Sequence, residues 1–317
     1  KDPGSTMSFE PLTEERIETD STYDAGTTTQ LMWGARSDVG CVRPHNEDSY
    51  LVQSPLFCVC DGMGGHAAGE VASSIAVETI AKTAPQSADA ARLAAAVEAA
   101  NAAVIEAALN GLGKPGMGCT ATCAYIENDT LAIAHVGDSR AYLLHEGTLI
   151  RVTRDHSYVE ELVDAGEITA DEARVHPNRS VITRALGSDP AMYADHFTLH
   201  IEEGDRLILC SDGLSSMIPD SDIENIATQS STAQICVDNL VDAALAAGGH
   251  DNVTVVVVDL VDDGVMREAQ RVRRRNVTIA AILALVFVLA AGIWAYTGVT
   301  GSYYLGTYQG NVAVWRG

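Results

Sequence analysis

Six acidic residues of this chain lie at the ends of short apolar runs, where they could do chemistry together. Asp61, Asp138 and Asp212 follow LFCVC, AIAHVG and LILCS, Asp251 comes shortly before VTVVVV, and Glu47 and Asp48 come just before SYLVQ. A carboxylate at the rim of a buried strand is costly unless a cation neutralises it. Taken singly, each is typical of a turn or a helix cap. Together, in a chain with 43 acidic and 20 basic residues, they favour a shared cation.

The donor atoms in this set indicate which cation that would be. Oxygen ligands without histidine or cysteine are typical of hard ions such as Mg2+ or Mn2+. Two such ions bridged by one carboxylate can activate a water and clamp a phosphoryl group. The acidic set therefore favours metal-assisted phosphoryl chemistry.

The stretch DGMGGH, which begins at Asp61, is unusually rich in glycine. Gly62, Gly64 and Gly65 lack side chains, so the backbone can approach an ion closely and a carbonyl can be a ligand. An ordinary strand-to-helix turn is one alternative, and a phosphate-binding nest for a nucleotide is another. A P-loop requires Gly-Lys-Ser/Thr at its end, and no lysine follows here, which argues against the nucleotide.

Arg43 lies four residues before Glu47. A guanidinium near two metal ions could bind phosphate oxygens in a bidentate manner. The alternative is a surface ion pair of Arg43 with Glu47 or Asp48.

The elements that must position these residues are mostly short strands. Strands are predicted over LMWGAR, SYLVQ, LFCVC, GCTATCAYI, TLAIAHVG, RAYLLHEGTLIRV with a turn at Glu146-Gly147, FTLHI, RLILCSD and VTVVVVDL. Helices are predicted over 68–84, 88–110, 220–228 and 232–247, with capping boxes at Ser157 and Thr169. Helices are grouped instead of alternating with strands, which favours an α+β fold with antiparallel sheets.

Composition and charge narrow the function classes. The formal net charge of −23 repels phosphate backbones, so the sequence argues against a nucleic-acid partner. The seven cysteines are odd in number and contain no C-x-x-C, so we interpret them as reduced thiols, several of them in strand-like runs.

The C-terminal region carries the pattern of a membrane span. Residues 277–296 contain no charged residue, and 20 helical residues span about 30 Å, the thickness of a bilayer core. Five arginines between 267 and 275 precede this stretch and only Arg316 follows it, which predicts a cytoplasmic N-terminal side. A buried core helix is the alternative.

These patterns divide the chain into five predicted parts. They are a flexible N-terminal arm over 1–30, a globular domain over 31–262, a basic juxtamembrane linker over 263–276, a transmembrane helix over 277–296 and the start of an extracytoplasmic segment over 297–317.

An ordered set of short motifs resembles the metal-dependent protein serine/threonine phosphatases of type 2C. The motifs are R-x-x-N-E-D from Arg43, D-G-M-G-G-H from Asp61, G-C-T-A from Gly118, V-G-D-S-R from Val136, S-D-G-L from Ser211 and D-N-V-T from Asp251. The resemblance covers about residues 31–260. It implies two stacked antiparallel sheets flanked by helices, an α-β-β-α sandwich, and hydrolysis of phosphoserine and phosphothreonine by a dimetal-activated water.

The resemblance also implies a role for each residue. Asp61 would bridge two Mn2+ or Mg2+ ions, with Asp212 and Asp251 on the first, Glu47 and the Gly62 carbonyl on the second, and Asp48 acting through water. Arg43 would bind the substrate phosphate. A third ion would be held by Asp138 and Asp212, helped by a flap that matches HPNRSVITRALG and contains Ser180.

One position departs from the pattern. Eukaryotic members commonly have Asp-Gly-His, and that histidine is assigned as the general acid. Met63 occupies the position here, and a thioether cannot donate a proton. His66 is more often a structural residue of this turn, so no general acid is assigned.

A cytoplasmic phosphatase domain with one C-terminal span resembles the membrane-anchored bacterial branch. That arrangement implies phosphorylated protein substrates and an opposing membrane Ser/Thr kinase in bacterial signalling. A catalytically inactive, membrane-tethered binding module is the alternative, as is another dimetal hydrolase such as a nuclease.

Overall fold

The computed structural model describes residues 21–28, 30–64, 68–261 and 303–316, with single positions 275, 282, 284, 288, 290 and 296. The chain divides into two compact units, residues 1–261 and 262–317.

Two antiparallel sheets form the centre of the first unit. The six-stranded sheet has the order β1 (Ser21–Thr27), β2 (Leu31–Asp38), β13 (Val253–Leu260), β12 (Arg206–Cys210), β9 (Arg140–His145) and β10 (Thr148–Arg151). The five-stranded sheet has the order β11 (Asp195–His200), β8 (Thr130–Val136), β7 (Ala121–Glu127), β4 (Leu56–Cys60) and β3 (Ser49–Gln53). A short ribbon pairs β5 (Gly62–Met63) with β6 (Gly118–Cys119).

The helices cover the outer faces of both sheets. α1 (Ala68–Thr83) and α2 (Ala90–Leu109) contact the five-stranded sheet, whereas α5 (Asp212–Ser215), α6 (Asp220–Gln229) and α7 (Ala233–Ala246) contact the six-stranded sheet. Between β10 and β11 the chain forms α3 (Tyr158–Asp164) and α4 (Ala170–Val175). The predicted α+β fold with antiparallel sheets flanked by helices is confirmed.

Three apolar layers explain why several strands are apolar along their whole length. In β13, Val256 and Val258 pack between the two sheets, whereas Val255 and Val257 pack towards α7. In β4, Phe57 faces the layer between the sheets and Cys58 faces α1 and α2. Each strand is buried on both faces, so its sequence is continuously apolar.

Six of the seven cysteines lie in these apolar layers. Among the described residues all seven thiols are free, and six of them are buried, whereas Cys41 is exposed.

The predicted flexible arm over residues 1–30 is wrong for its last part. Ser21–Thr27 forms the edge strand β1, paired along its length with β2. Most of its side chains are exposed, so the strand lacks the alternation of apolar and polar residues that would have predicted it. Its stability comes from backbone pairing and from Gly26, whose backbone lies against the ring of Trp33. Residues 1–20 lie outside the described part of the chain.

Two further details differ from the sequence prediction. The strand predicted over GCTATCAYI is interrupted at Thr120, between β6 and β7. Thr169 and Glu172 form a complete capping box, whereas Ser157 accepts a hydrogen bond from the Glu160 backbone but the Glu160 side chain binds Arg151.

In the second unit the structure describes a β-hairpin, β14 (Tyr303–Tyr308) and β15 (Asn311–Arg316). Its turn residues Gln309 and Gly310 both have positive φ, as tight hairpin turns require. Apart from five single positions, the predicted span over 277–296 lies outside the described residues. Within the part that is described, no helix is both long and apolar enough to cross a membrane.

Candidate metal centre

The strand ends that carry the acidic residues meet at one end of the sandwich. Ser49 pairs with Cys60, Val59 with Thr122, and Ala121 with Val136, so the residues flanking β3, β4 and β8 share one edge. In the other sheet, Cys210 pairs with both Arg140 and Val255, which places the end of β12 beside the start of β13. All of the predicted acidic ligands therefore border this end of the two sheets.

Asp61 lies at the electrostatic centre of the group. Burial raises the pKa of its carboxyl well above the ordinary value, and the charges of neighbouring carboxylates raise it further: Asp48, Asp212, Asp138 and Asp251. Such mutual effects require short separations in a weakly screened environment. The structure thus brings four of the predicted ligands together around Asp61.

Asp48 is buried. Its Oδ2 accepts a 2.6 Å hydrogen bond from Thr254 Oγ1, whereas Oδ1 is buried with no partner among the residues that the structure describes. Burial is the main cause that raises the pKa of Asp48 to about 7, and the charges of Asp212 and Asp251 add to it. Burial and the charge of Asp251 likewise raise the pKa of Asp212 to about 6.

Asp138 is the second buried carboxylate with an unpaired oxygen, Oδ1. Burial raises the pKa of this carboxyl well above its usual range, with Asp212 and Asp155 as further causes. An unpaired buried carboxylate oxygen is costly, and a hard cation is the ligand that satisfies it best. The donor chemistry therefore fits Mn2+ or Mg2+.

In the described part of the chain, no three His, Cys, Asp or Glu side chains close around one point as a complete metal site. The carboxylates are suited to bind a cation because two of their buried oxygens are unpaired and because they raise one another's pKa.

Two glycines let the backbone close around the site. A Cβ on Gly62 would lie 2.3 Å from the carbonyl oxygens of Glu47 and Gly69. A Cβ on Gly213, directly after Asp212, would lie 1.9 Å from the carbonyl oxygen of Asn252. Both positions require glycine for close approach, and each fixes the backbone beside a candidate ligand.

Arg43 donates a hydrogen bond of 2.8 Å to Asp251 Oδ2. The alternative from the sequence, an ion pair of Arg43 with Glu47 or Asp48, is not what the structure contains. The guanidinium is half exposed, so it borders both the acidic group and solvent.

Residues 34–253 match the family of protein phosphatase 2C. The chain belongs to this family.

Bacterial Ser/Thr phosphatases are among its relatives. The chain is 43% identical over 244 residues to the serine/threonine protein phosphatase PstP of Mycobacterium tuberculosis, which covers 75% of this chain and 46% of PstP. The chain thus spans about half the length of PstP. It is also 37% identical over 236 residues to the serine/threonine phosphatase Stp of Listeria monocytogenes, covering 71% of this chain and 94% of Stp.

A solved structure of the PstP catalytic domain is described as a complex with two manganese ions. It matches with a TM-score of 0.68 and 40% identity, over 74% of this chain and 99% of that one. The Mn2+ or Mg2+ cofactor predicted from the sequence agrees with this relative.

Beside the candidate metal centre of this phosphatase 2C domain lies an open cleft of about 680 Å³. Asp138, Asp212 and Asp251 line it, as do Arg179 and Ser180 of the predicted flap. The flap is tied back at its end, where Leu186 is buried and its backbone pairs with Cys119. Ser180 therefore borders the cleft that leads to the predicted third-ion ligands.

No residue among those described is assigned as the general acid. Met63 is half buried in β5, opposite Gly118, and its thioether carries no proton to donate. His66 lies outside the described residues.

Sequence analysis missed the residue that organises the loop before β3. Asn252 is buried, and its Nδ2 donates to the carbonyl oxygens of Val39 and His45, both at 2.9 Å. Its Oδ1 accepts from the Glu47 backbone at 2.9 Å. In the sequence, the one indication of a functional role for Asn252 is its place directly after Asp251 in D-N-V-T.

Proposed function

We propose that this chain hydrolyses phosphoserine and phosphothreonine esters of proteins with the help of divalent metal ions. The observation that carries the proposal is the group formed by Asp61 and the four acidic residues around it, with two buried, unpaired carboxylate oxygens. Family membership and the names of the relatives support the same activity.

The proposed ligand roles are those that the resemblance to the phosphatase family implies. Asp61 would be shared by two ions, with Asp212 and Asp251 on one and Glu47 and the Gly62 carbonyl on the other. Asp48, whose Oδ1 is buried without a described partner, would act through water as the resemblance implies. Asp138 and Asp212, helped by Ser180 of the flap, would hold a third, weaker ion.

The bound ions would supply an activated water and offset the charge on the phosphoryl group. Arg43 would bind the phosphate, and to do so its guanidinium would turn from Asp251 towards the substrate. A half-exposed ion pair contributes little to stability, so this exchange costs little. The Asn252 amide would keep Glu47 in place while substrates bind and leave.

The test is release of inorganic phosphate from a phosphothreonine peptide by the purified chain. We expect turnover with Mn2+, none with EDTA, and a loss on the order of 1,000-fold in Asp61→Asn. Exposed Asp129→Asn, far from the acidic group, is the matched control and should keep full activity. Absence of Mn2+-dependent release, or an Asp61→Asn variant as active as the control, would overturn the proposal.

We further propose that the chain is a single-pass protein of the cell membrane, with the phosphatase domain in the cytoplasm. The uncharged stretch 277–296 and the arginines before it support this topology. Protease added to intact cells should leave residues 31–260 undigested and should digest them after lysis. Digestion in intact cells would contradict this orientation.

A membrane-tethered phosphatase would oppose Ser/Thr kinases located in the same membrane. The test compares phosphoproteins in cells that carry the active chain or Asp61→Asn. We expect phosphothreonine to accumulate in the inactive strain, first on membrane kinases and on their substrates. Equal phosphorylation in the two strains would contradict this role.

A further inference from the structure

His156 binds the loop that carries Asp138 at two points. The Gly137 backbone N–H donates to His156 Nδ1 at 3.0 Å, and the His156 backbone N–H donates to the Gly137 carbonyl at 2.7 Å. Gly137 immediately precedes Asp138. His156 lies outside the β8–β9 connection. Its side chain and its backbone therefore both fix Gly137, the residue beside the proposed metal ligand Asp138.

These contacts determine the tautomer of the imidazole. A backbone N–H can only donate, so Nδ1 must accept and the ring proton must be on Nε2. Nε2 lies 3.0 Å from Asp195 Oδ2 and donates to it. Burial lowers the pKa of His156, which keeps this neutral form in place.

On the Nε2 side of the ring, Asp195 connects His156 to the flap. Asp195 Oδ1 accepts from Arg184 at 2.5 Å, and the Arg184 guanidinium lies 4.2 Å from the centre of the Tyr193 ring. The Thr183 backbone also donates to the His156 carbonyl at 2.8 Å. His156 thus joins the end of the flap to the Asp138 loop.

The loop has little freedom to compensate for a lost contact. Gly137 has a φ of 110°, and a Cβ there would lie 2.5 Å from the Thr120 side chain. Thr120 Oγ1 in turn accepts from the Asp61 backbone at 2.9 Å and lies 2.5 Å from Ser139 Oγ. The backbones of Asp61 and Asp138 are therefore held by one continuous set of contacts.

We propose that His156 is a positioning residue that holds Asp138 in place for the weakest of the metal ions. The inference rests on the proposed function, since it concerns a ligand of that metal centre. The contact that would position Asp138 is the one in which His156 Nδ1 accepts from Gly137. The contact of Nε2 with Asp195 lies on the side of the ring away from Gly137.

Two substitutions separate the two nitrogens of the ring. The amide oxygen of His156→Asn can occupy the place of Nδ1 and accept from Gly137, but the side chain does not reach Asp195. The amide of His156→Gln reaches the place of Nε2 and can donate to Asp195, but it leaves Gly137 without its acceptor. Asp195→Asn is the matched control for loss of the charge at the outer contact.

The readouts are Mn2+ binding to the full chain by titration calorimetry and the melting temperature in EDTA. We expect the weakest Mn2+ site to weaken by about tenfold in His156→Gln. In His156→Asn and Asp195→Asn it should stay within about threefold of the wild type. The 15N amide signal of Gly137 should move in His156→Gln and stay close to its wild-type position in Asp195→Asn.

Equal Mn2+ affinities in His156→Gln and His156→Asn would overturn the inference, as would a Gln variant that loses melting temperature and keeps its Mn2+ affinity. Failure of the proposed function gives a different result. In that case the wild type releases no phosphate with Mn2+ and binds Mn2+ no better than Asp61→Asn.

Discussion

Asp48 and Asp212 differ from ordinary surface carboxylates because protein and like charges surround them. Their pKa values are raised to about 7 and about 6, above an ordinary value near 3.8. The sequence predicted both as ligands because each lies at the end of an apolar run. It could not predict the buried hydroxyl of Thr254 that binds Asp48, because this contact joins residues 206 positions apart.

The raised pKa values give stability a specific pH dependence. Without metal, the folded chain keeps protons on these carboxyls that the unfolded chain releases, so folded-state stability decreases as pH rises from about 4 to about 7. We expect the melting temperature in EDTA to fall by a few degrees between about pH 5 and about pH 8. Mn2+ should oppose this fall because it binds the ionised carboxylates. Calorimetry of the wild type and Asp48→Asn tests this, and a fall of equal size in both would contradict it.

Arg43 is predicted to act on the substrate and not on the metal. Arg43→Ala should lower kcat/KM by on the order of 100-fold, since a charge-assisted contact to the phosphate is lost. Arg43→Lys should recover only part of this loss, because an ammonium group lacks the bidentate geometry. Arg92→Ala, on the exposed side of α2, is the control. Steady-state kinetics and Mn2+ titration decide the point: an Arg43→Ala variant that loses Mn2+ affinity as strongly as activity would contradict it.

At the scale of elements, the sequence predicted the parts that bury an apolar face. Strands such as β4 and β13 and helices such as α1, α2 and α7 have clear apolar patterns, and all are present. β1 was missed because its side chains are largely exposed, and α5 because four residues are too few for a period. The flap was predicted through the resemblance to the phosphatase family, but its anchoring through Leu186 and Thr183 depends on residues distant in sequence.

The junction of β12 and α5 should tolerate no side chain at Gly213. Gly213→Ala would force Asp212 and the Asn252 backbone apart, with an expected cost of about 1–3 kcal/mol. Mn2+ affinity should fall with it. Gly111→Ala is the control: it has φ of +79° and open space around it, so only backbone strain of about 1 kcal/mol is expected. Urea unfolding and Mn2+ titration measure both effects, and equal Mn2+ affinities in the two variants would contradict the assignment.

At the scale of the whole molecule, the chain divides into two compact units, with the boundary after residue 261. The candidate metal centre, the cleft and the predicted flap all lie within the first unit. The sequence predicts a boundary after residue 262 from its change in composition, from the end of β13 to the arginines and the uncharged stretch. The resemblance to the phosphatase family supplied the roles of individual ligands, which spacing alone left open.

A chain of residues 21–262 should therefore be as active as the full chain on a soluble phosphopeptide, with kcat/KM within about twofold. Residues 31–262, which lack β1, should keep this activity but melt a few degrees lower, because the edge of β2 and the ring of Trp33 become exposed. Enzyme assays and thermal melts of both fragments test this. Loss of activity in the 21–262 fragment would contradict the independence of the first unit.

The central claim is that Asp61 lies between metal ions held by the surrounding carboxylates. Crystals grown with Mn2+ and measured at the manganese absorption edge would locate the ions directly. We predict anomalous peaks on both sides of the Asp61 carboxylate, one next to Asp212 and Asp251 and one next to Glu47 and the Gly62 carbonyl. Absence of peaks next to Asp61, or manganese bound only at other acidic residues, would contradict the account.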